Sequence, residues 1–558
     1  MNRTGIAWMG VLFWAAVAAG QTRPAPQAPA PPGITLGEAA ALVKLARSAM
    51  QQYLTHRTPA DSHPIPDDVR PLARHRYTLA LALRDNGRLV ARSIQDQGGL
   101  VRNVVAAALL AMRSCELPDR VTAEVLDALT VEIEILSPPV RIGEGELAGL
   151  LEPGLTGLKL SRGIDDSYLL PATAYLLGLD AEQIPRIGLA RLRQGADNLS
   201  LPLRRSVFTT SHFVEPPSGR TVWLYRGKIL FPYDAIDEKM LRATPERIGE
   251  FLVRHQDESG RYLIPQGAAS LRDHLYATYA MIRLVRRTGR KDFSRSVTSA
   301  VENAFASVRK EGERIYIPAD RPADELTATA WLLLINSQMP PSDKARGLRE
   351  GLLAAVRREL DDRLLKDLAV GARRELSATW LTGAYVATMA MAAVTPAQGG
   401  DAEMLARFRT ALGKLDPPDV EAEMWALRAG VSREHPRTGA TTRPRPAMVA
   451  DSRPRDERGG FGLPGRTPTT VCTALRAILV AAELAREQKT GQPAKASEMP
   501  AHLLAARRFC FRMMYHSPSE AYFAAAPGQY VGGVRSSPAT CRITLPACAA
   551  AIEALLAK

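Results

Sequence analysis

The stretch SGRYLIPQGAASLRDHLYATYA (Ser259–Ala280) decides how the second half of the chain is read. It holds a glycine turn with aromatic and apolar neighbours, a short polar loop, and then a helix that is apolar on nearly every face. The same order returns in GERIYIPADRPADELTATAWLL (Gly312–Leu333), GGFGLPGRTPTTVCTALRAI (Gly459–Ile478) and GGVRSSPATCRITLPACAAAIEAL (Gly532–Leu555). TWLTGAYVATMAMAAV (Thr379–Val394) is another such helix, and a helix without a polar face must be enclosed by protein. Between them lie ERIGEFLVRHQ (Glu246–Gln256) and DKARGLREGLLAAVRREL (Asp343–Leu360), each with one apolar stripe and a charged back. Alternating outer and inner helices, with polar loops ahead of the inner ones, predict hairpins closed around a central funnel. The expectation is an all-α (α/α) toroid over residues 236–558. One Arg- and Pro-rich stretch, 435–458, has no periodicity and reads as a solvated insert, or as a flap that grips an anionic polymer.

Residues 34–235 carry a different pattern. Thr35 and Glu38 form a capping box ahead of a helix whose Leu42, Leu45, Ala49, Met50 and Tyr53 recur at three- and four-residue steps. Tyr77–Arg84 alternates as a strand does, and Asp85-Asn86-Gly87 followed by a second run from Arg88 is a hairpin signal. A helix over about Leu100–Arg113 follows. In LTVEIEILSPPVRI (Leu129–Ile142), Val131, Ile133 and Ile135 alternate with Glu132 and Glu134, which predicts a half-buried strand stopped by Pro138-Pro139. This half is α+β. The chain is therefore multidomain, with a break near Pro216–Asp237, where the two halves should separate under limited proteolysis if their interface is modest.

The chain has 558 residues, 46% hydrophobic and 23% charged, ordinary usage for a globular protein and too long for one core. Lys+Arg 72 against Asp+Glu 58 gives +14, which admits acidic partners. The charge is diffuse, with no basic run interleaved with aromatics, so nucleic acid is not an expected partner. Residues 1–20 carry Arg3, an apolar stretch from Ile6 to Ala19 and small residues before Gln21, the pattern of a secretory signal too short for a bilayer span. Residues 21–33 read as a Pro/Ala linker. The expectation is a secreted or periplasmic product without stable membrane insertion. In such a compartment Cys472, Cys510, Cys541 and Cys548 are candidates for disulfides, with Cys115 left as a thiol. The histidines are scattered and no Cys-x-x-Cys pair occurs, so neither a metal nor a cofactor is expected.

The succession LVKLARSAMQQYL (Leu42–Leu54), the hairpin through Asp-Asn-Gly, a helix, VEIEILSPP (Val131–Pro139) and LEPGLTGLKLSRGIDDSYLLPATA (Leu151–Ala174) resembles the AMMECR-type domain over roughly residues 36–215. That family's Arg-Gly-Cys-Ile-Gly run is replaced here by LVARSIQDQ (Leu89–Gln97). The second half resembles the six-hairpin glycosidase and terpenoid-cyclase-like superfamilies. In glycan-processing members the last Gly-Gly loop is followed by Arg-Ile-Asp and a histidine; here Arg542-Ile543-Thr544 and Cys548 stand there. These resemblances imply fold, and the lost polar signatures imply degenerate sites.

Candidate chemistry gathers in the loops ahead of inner helices. Arg272, Asp273 and His274 open one, Asp324 and Glu325 open the next, and Arg542 lies in the last. Converging on a funnel mouth they would bind a ligand, an anionic glycan or similar polymer; otherwise they cap and neutralise their own helices. Asp456-Glu457 is a third acidic pair in a loop. Glycoside hydrolysis needs two carboxylates in contrasting environments, and sequence spacing does not supply their separation. The expected function is an exported binding or scaffold protein with degenerate sites; the alternative is a glycan-active hydrolase or lyase with its site in the funnel. A terpenoid-type cyclase would need an Asp-rich motif and an aromatic-lined cavity, and neither is evident in the sequence.

Overall fold

The computed structural model describes residues 32–56, 64–117, 121–195, 201–217, 219–267, 269–312, 314–319, 321–340, 343–366, 377–395, 400–415, 425–426, 428–431, 447–448, 461–462 and 499–556. The signal-like segment, nearly all of the 435–458 insert, Asp456-Glu457 and the inner helix expected at 471–484 lie outside these residues.

Helix α1 (Leu36–His56) starts at the expected box. The Thr35 amide and hydroxyl donate to Glu38 at 2.8 and 2.7 Å, and the Glu38 amide donates back to Thr35 Oγ1 at 3.2 Å. Strands β1 (Leu79–Asp85) and β2 (Arg88–Gln95) form the hairpin, with Asn86 at φ 46° and Gly87 at φ 78°, the left-handed pair a two-residue turn requires. Helix α2 (Leu100–Arg113), helix α3 (Ala123–Ala128), β3 (Thr130–Leu136) and β4 (Val140–Ile142) follow, β3 ending ahead of Pro138-Pro139. After one helical turn at Leu147–Leu150 come β5 (Thr156–Arg162), β6 (Asp165–Leu169), α4 (Pro171–Leu177), α5 (Gln183–Gly195), β7 (Arg204–Glu215) and β8 (Val222–Leu224). The antiparallel sheet runs β2-β1-β3-β7-β5-β6, with β4 and β8 also paired to β7. Leu79, Leu81 and Leu83 of β1 and Val131, Ile133 and Ile135 of β3 pack with α1 and α2 in one apolar core.

The other face of the sheet differs from expectation. Glu132 and Glu134 were expected to face solvent, yet every residue of β3 is buried. Two parts of the chain cover that face: Tyr522 of the second half reaches Glu132, and the start of α4 with Thr210 of β7 engages Glu134.

From Glu238 the chain is largely helical among the described residues. Four helices fall on the apolar stretches read as inner, α7 (Leu271–Thr288), α9 (Pro322–Ser337), α11 (Ala378–Val394) and α14 (Leu545–Leu556); the others are α6 (Glu238–Arg254), α8 (Lys291–Ala306), α10 (Asp343–Leu360), α12 (Gly400–Gly413) and α13 (Met499–Met513). The inner helices lie side by side in the order α14, α7, α9, α11, and they share a single core with the outer helices. The Gly532-Gly533 pair has a steric cause: Gly532 sits at φ 90°, and a Cβ there would lie 2.5 Å from the Arg247 carbonyl of α6.

The halves are not joined by a loose linker. In the turn after β8, Arg226 reaches Glu152 of the sheet half at 3.2 Å, while the buried Lys228 ammonium donates to the Arg512 and Met514 carbonyls of the helical half. Three successive carbonyls at the end of α4 then receive the loop ahead of α14. Cys541 N donates to Tyr175 O at 3.4 Å, Cys541 Sγ to Leu176 O at 3.4 Å, and Arg542 Nη2 to Leu177 O at 3.3 Å. The Leu176 and Leu177 carbonyls, at the open end of the helix, thereby gain donors from the other half.

Candidate functional site

Inner helices α7 and α9 bring their first turns together. Ser270, not Asp273, caps α7: its Oγ accepts the Asp273 amide at 3.1 Å. That frees the Asp273 carboxylate to accept Arg272 Nε at 3.2 Å, while Arg272 Nη1 donates to Asp324 Oδ1 at 3.0 Å across to α9. Arg272 therefore bridges two carboxylates from neighbouring hairpins. Pro322 at the start of α9 fixes the turn that carries Asp324.

Arg272 and Asp273 border a small depression with about 30 Å³ of enclosed room, little more than a water needs, at the N-terminal ends of the inner helices, which Thr327, Thr382 and Pro546 also line. Its floor is aromatic. Tyr276 stacks on Trp331 at 4.5 Å between ring centroids and 18° between planes, and Trp425 meets the pair edge-on at 5.3 to 5.5 Å. Such offset and perpendicular contacts are the arrangement ring quadrupoles favour. The three rings are at most 4% exposed, so little of their surface is open to the cavity.

Beneath the floor stands Glu553 of α14, buried at 3% exposure. It accepts from Tyr276 Oη at 3.0 Å, from Arg283 Nη1 at 2.7 Å, and from Arg428 through both Nη atoms at 2.7 and 3.0 Å. Burial alone would raise this carboxyl, but Arg428 and then Arg283 outweigh burial and hold it down at about 2. Glu553 is thus a fixed anion that orients the Tyr276 hydroxyl and the Arg428 fork.

The other expected site residues lie elsewhere. His274 points into the core, where Nδ1 accepts the Tyr262 amide at 3.1 Å and Nε2 faces the Ala300 carbonyl at 3.4 Å; burial pulls it down to about 4, so it is neutral. Glu325 pairs with Arg314 and borders a separate crevice with only about 10 Å³ of enclosed room beside Tyr316 and Glu359, its carboxyl raised by burial. Arg542 belongs to the contact with α4. The expected disulfide pairing is not formed among the described cysteines: Cys510, Cys541 and Cys548 are buried free thiols, as Cys115 is a partly buried one. The Cys541 and Cys548 sulfurs address different backbone groups, Leu176 O and Val534 N. Cys472 lies outside the described residues. Among the described residues no group of His, Cys, Asp and Glu is arranged to hold a metal.

Sequence reasoning missed the aromatic floor and Glu553. The signal available was Glu553 itself, the one charged residue in the otherwise apolar LPACAAAIEALL.

No family model matches the chain. It is similar to a protein of Methanothermobacter thermautotrophicus, 29% identical over 153 residues that make up 26% of this chain and 77% of the relative. A protein of Thermococcus kodakarensis is also 29% identical over 153 residues, 25% of this chain and 72% of that protein. The crystal structure of an uncharacterised protein from Pyrococcus horikoshii aligns with 34% of this chain and 98% of its own, at 23% identity and a TM-score of 0.30. No described helix is long and apolar enough to cross a membrane.

Proposed function

We propose that this chain is an exported binding or scaffold protein whose α/α cleft binds without cutting. The observation that carries the reading is Arg272, which ties up the carboxylates of both Asp273 and Asp324. General acid/base hydrolysis needs two carboxyl groups free to reach the substrate in contrasting environments, and here one guanidinium engages both. The Glu325 carboxyl is engaged by Arg314 and faces another cavity. The alternation of outer and inner helices supports a toroid, and the hairpin, VEIEILSPP strand and Leu169-Leu170-Pro171 corner support an AMMECR-like first half. Export rests on the character of residues 1–20.

The ligand follows from the rim. Two aspartates to one arginine, with Thr327 and Thr382 nearby, offer hydroxyl-binding groups and no surplus of positive charge, so a neutral hydroxyl-rich ligand fits better than the anionic polymer suggested by net charge. The test is titration with neutral and uronate-bearing oligosaccharides, following tryptophan fluorescence. Neutral sugars should bind wild type and lose affinity about tenfold or more in Asp273→Ala, one lost charged hydrogen bond being worth roughly 1.5–3 kcal/mol. Unchanged affinity in that variant would remove the cleft from the reading. The enzyme alternative draws on one observation, that Asp273 and Asp324 come from adjacent inner helices at one rim.

A further inference from the structure

The polar face of the sheet carries a second arrangement, remote in role from the cleft. Arg84 of β1, Glu132 of β3 and His212 of β7 stand together on it, 5%, 2% and 5% exposed. Arg84 Nε donates to Glu132 Oε2 at 2.8 Å, and His212 Nε2 lies 3.0 Å from Glu132 Oε1. One side chain from the helical half enters this group. The Tyr522 hydroxyl donates to Glu132 Oε1 at 3.1 Å, its ring meets the His212 ring edge-on at 6.1 Å and 75°, and the Arg84 guanidinium lies over the ring at 5.5 Å. Val214 and Leu224 supply apolar contact.

We infer that Arg84, Glu132 and His212 form a phenol-recognition site, and that the chain fills it with its own Tyr522. Each part of a phenol has a counterpart: an anionic acceptor for the hydroxyl, a cation for the π-face, a ring edge and an apolar wall. Arg84 and His212 already partner Glu132, and a phenol adds a further donor to Glu132 Oε1 and a ring face for the Arg84 guanidinium. Burial would raise the Glu132 carboxyl, but Arg84 and then His212 overcome it and keep the group a carboxylate; burial pushes the Tyr522 hydroxyl well up and keeps it a donor. Docking is shaped for close approach: a Cβ on Gly87, at the tip of the β1–β2 hairpin, would lie 2.4 Å from the backbone of Phe523, next to Tyr522. The helical half thus docks by presenting a tyrosine, and the ligand class of the sheet face is a tyrosine side chain.

The test uses the full chain. Tyr522→Ala removes the ring, and phenol in excess should then raise that variant's melting temperature more than toluene does, while leaving wild type unchanged. Tyr522→Phe keeps the ring and should melt below wild type, because Glu132 loses a donor. Equal rescue by toluene and phenol, or no rescue of a folded Tyr522→Ala protein, would overturn the inference. If Tyr522→Ala does not fold, Tyr522→Phe decides, and melting indistinguishable from wild type would reduce Tyr522 to packing.

Discussion

Arg272 and Asp324, 52 positions apart in sequence, meet at 3.0 Å where the first turns of α7 and α9 converge. Both side chains are about a third exposed, at 35% and 28%, so the bridge is a rim feature and contributes modestly to stability. Arg272→Ala should lower unfolding free energy by no more than about 1 kcal/mol in urea titrations. A much larger loss would mean that the bridge is part of the core.

Glu553 behaves differently because it is enclosed. Glu553→Gln leaves Arg428 and Arg283 without their anion and should cost roughly 3–5 kcal/mol, read from urea unfolding. The pH dependence has a definite sign. The folded carboxyl sits at about 2, below the ordinary 4.5, so the unfolded chain binds the proton more readily. Stability from this group is complete above about 4.5 and is lost as pH falls toward 2. The gap between wild type and Glu553→Gln should close over that window.

His274 has the same sign for another reason. It is neutral and buried, drawn from 6.5 to about 4, so unfolding releases a more basic group. Stability from His274 is present above 6.5 and falls as pH drops through about 4. A His274→Gln variant should show a flatter stability profile between those limits.

Much of this was legible beforehand. The capping box, the Asn86-Gly87 hairpin and the strand stopped at Pro138 are local signals, set by residues within a few positions of one another, and each formed where expected. The helical character of the second half was legible because burial writes itself into periodicity. Illegible were contacts made across long separations. Glu132 and Glu134 read as solvent-facing because the strand pattern cannot announce that Tyr522 will reach the one and Ala172 and Thr210 the other. Three of the six proposed site residues met; His274 and Glu325 did not, since neighbours in sequence at a helix start point around its circumference, and Arg542 did not because its loop is drawn to the end of α4.

Gly87→Ala tests the docking of the halves. The position needs φ 78°, and the added methyl would meet the Phe523 backbone at 2.4 Å. The variant should be destabilised by more than the roughly 1 kcal/mol expected for backbone strain alone, as measured by chemical denaturation. Limited proteolysis of wild type at 216–237 should not release two separately folded halves, because Lys228 is buried between them.

The thiols offer a simple check. Burial pushes Cys510 and Cys548 up to about 12 and Cys541 up to about 11, so few thiolates form at neutral pH. Iodoacetamide labelling of the native protein followed by mass spectrometry should leave these three unmodified, and denaturant should expose them. Labelling that stays absent after unfolding, and returns on reduction, would reveal disulfides instead.

The claim that the cleft binds and does not cut is tested most directly by product analysis. Purified protein incubated with the neutral oligosaccharides it binds, and with uronate-bearing ones, should release no new reducing ends and no unsaturated products by mass spectrometry. Products formed by wild type and abolished in Asp273→Asn and Asp324→Asn would contradict the account and establish the pair as catalytic.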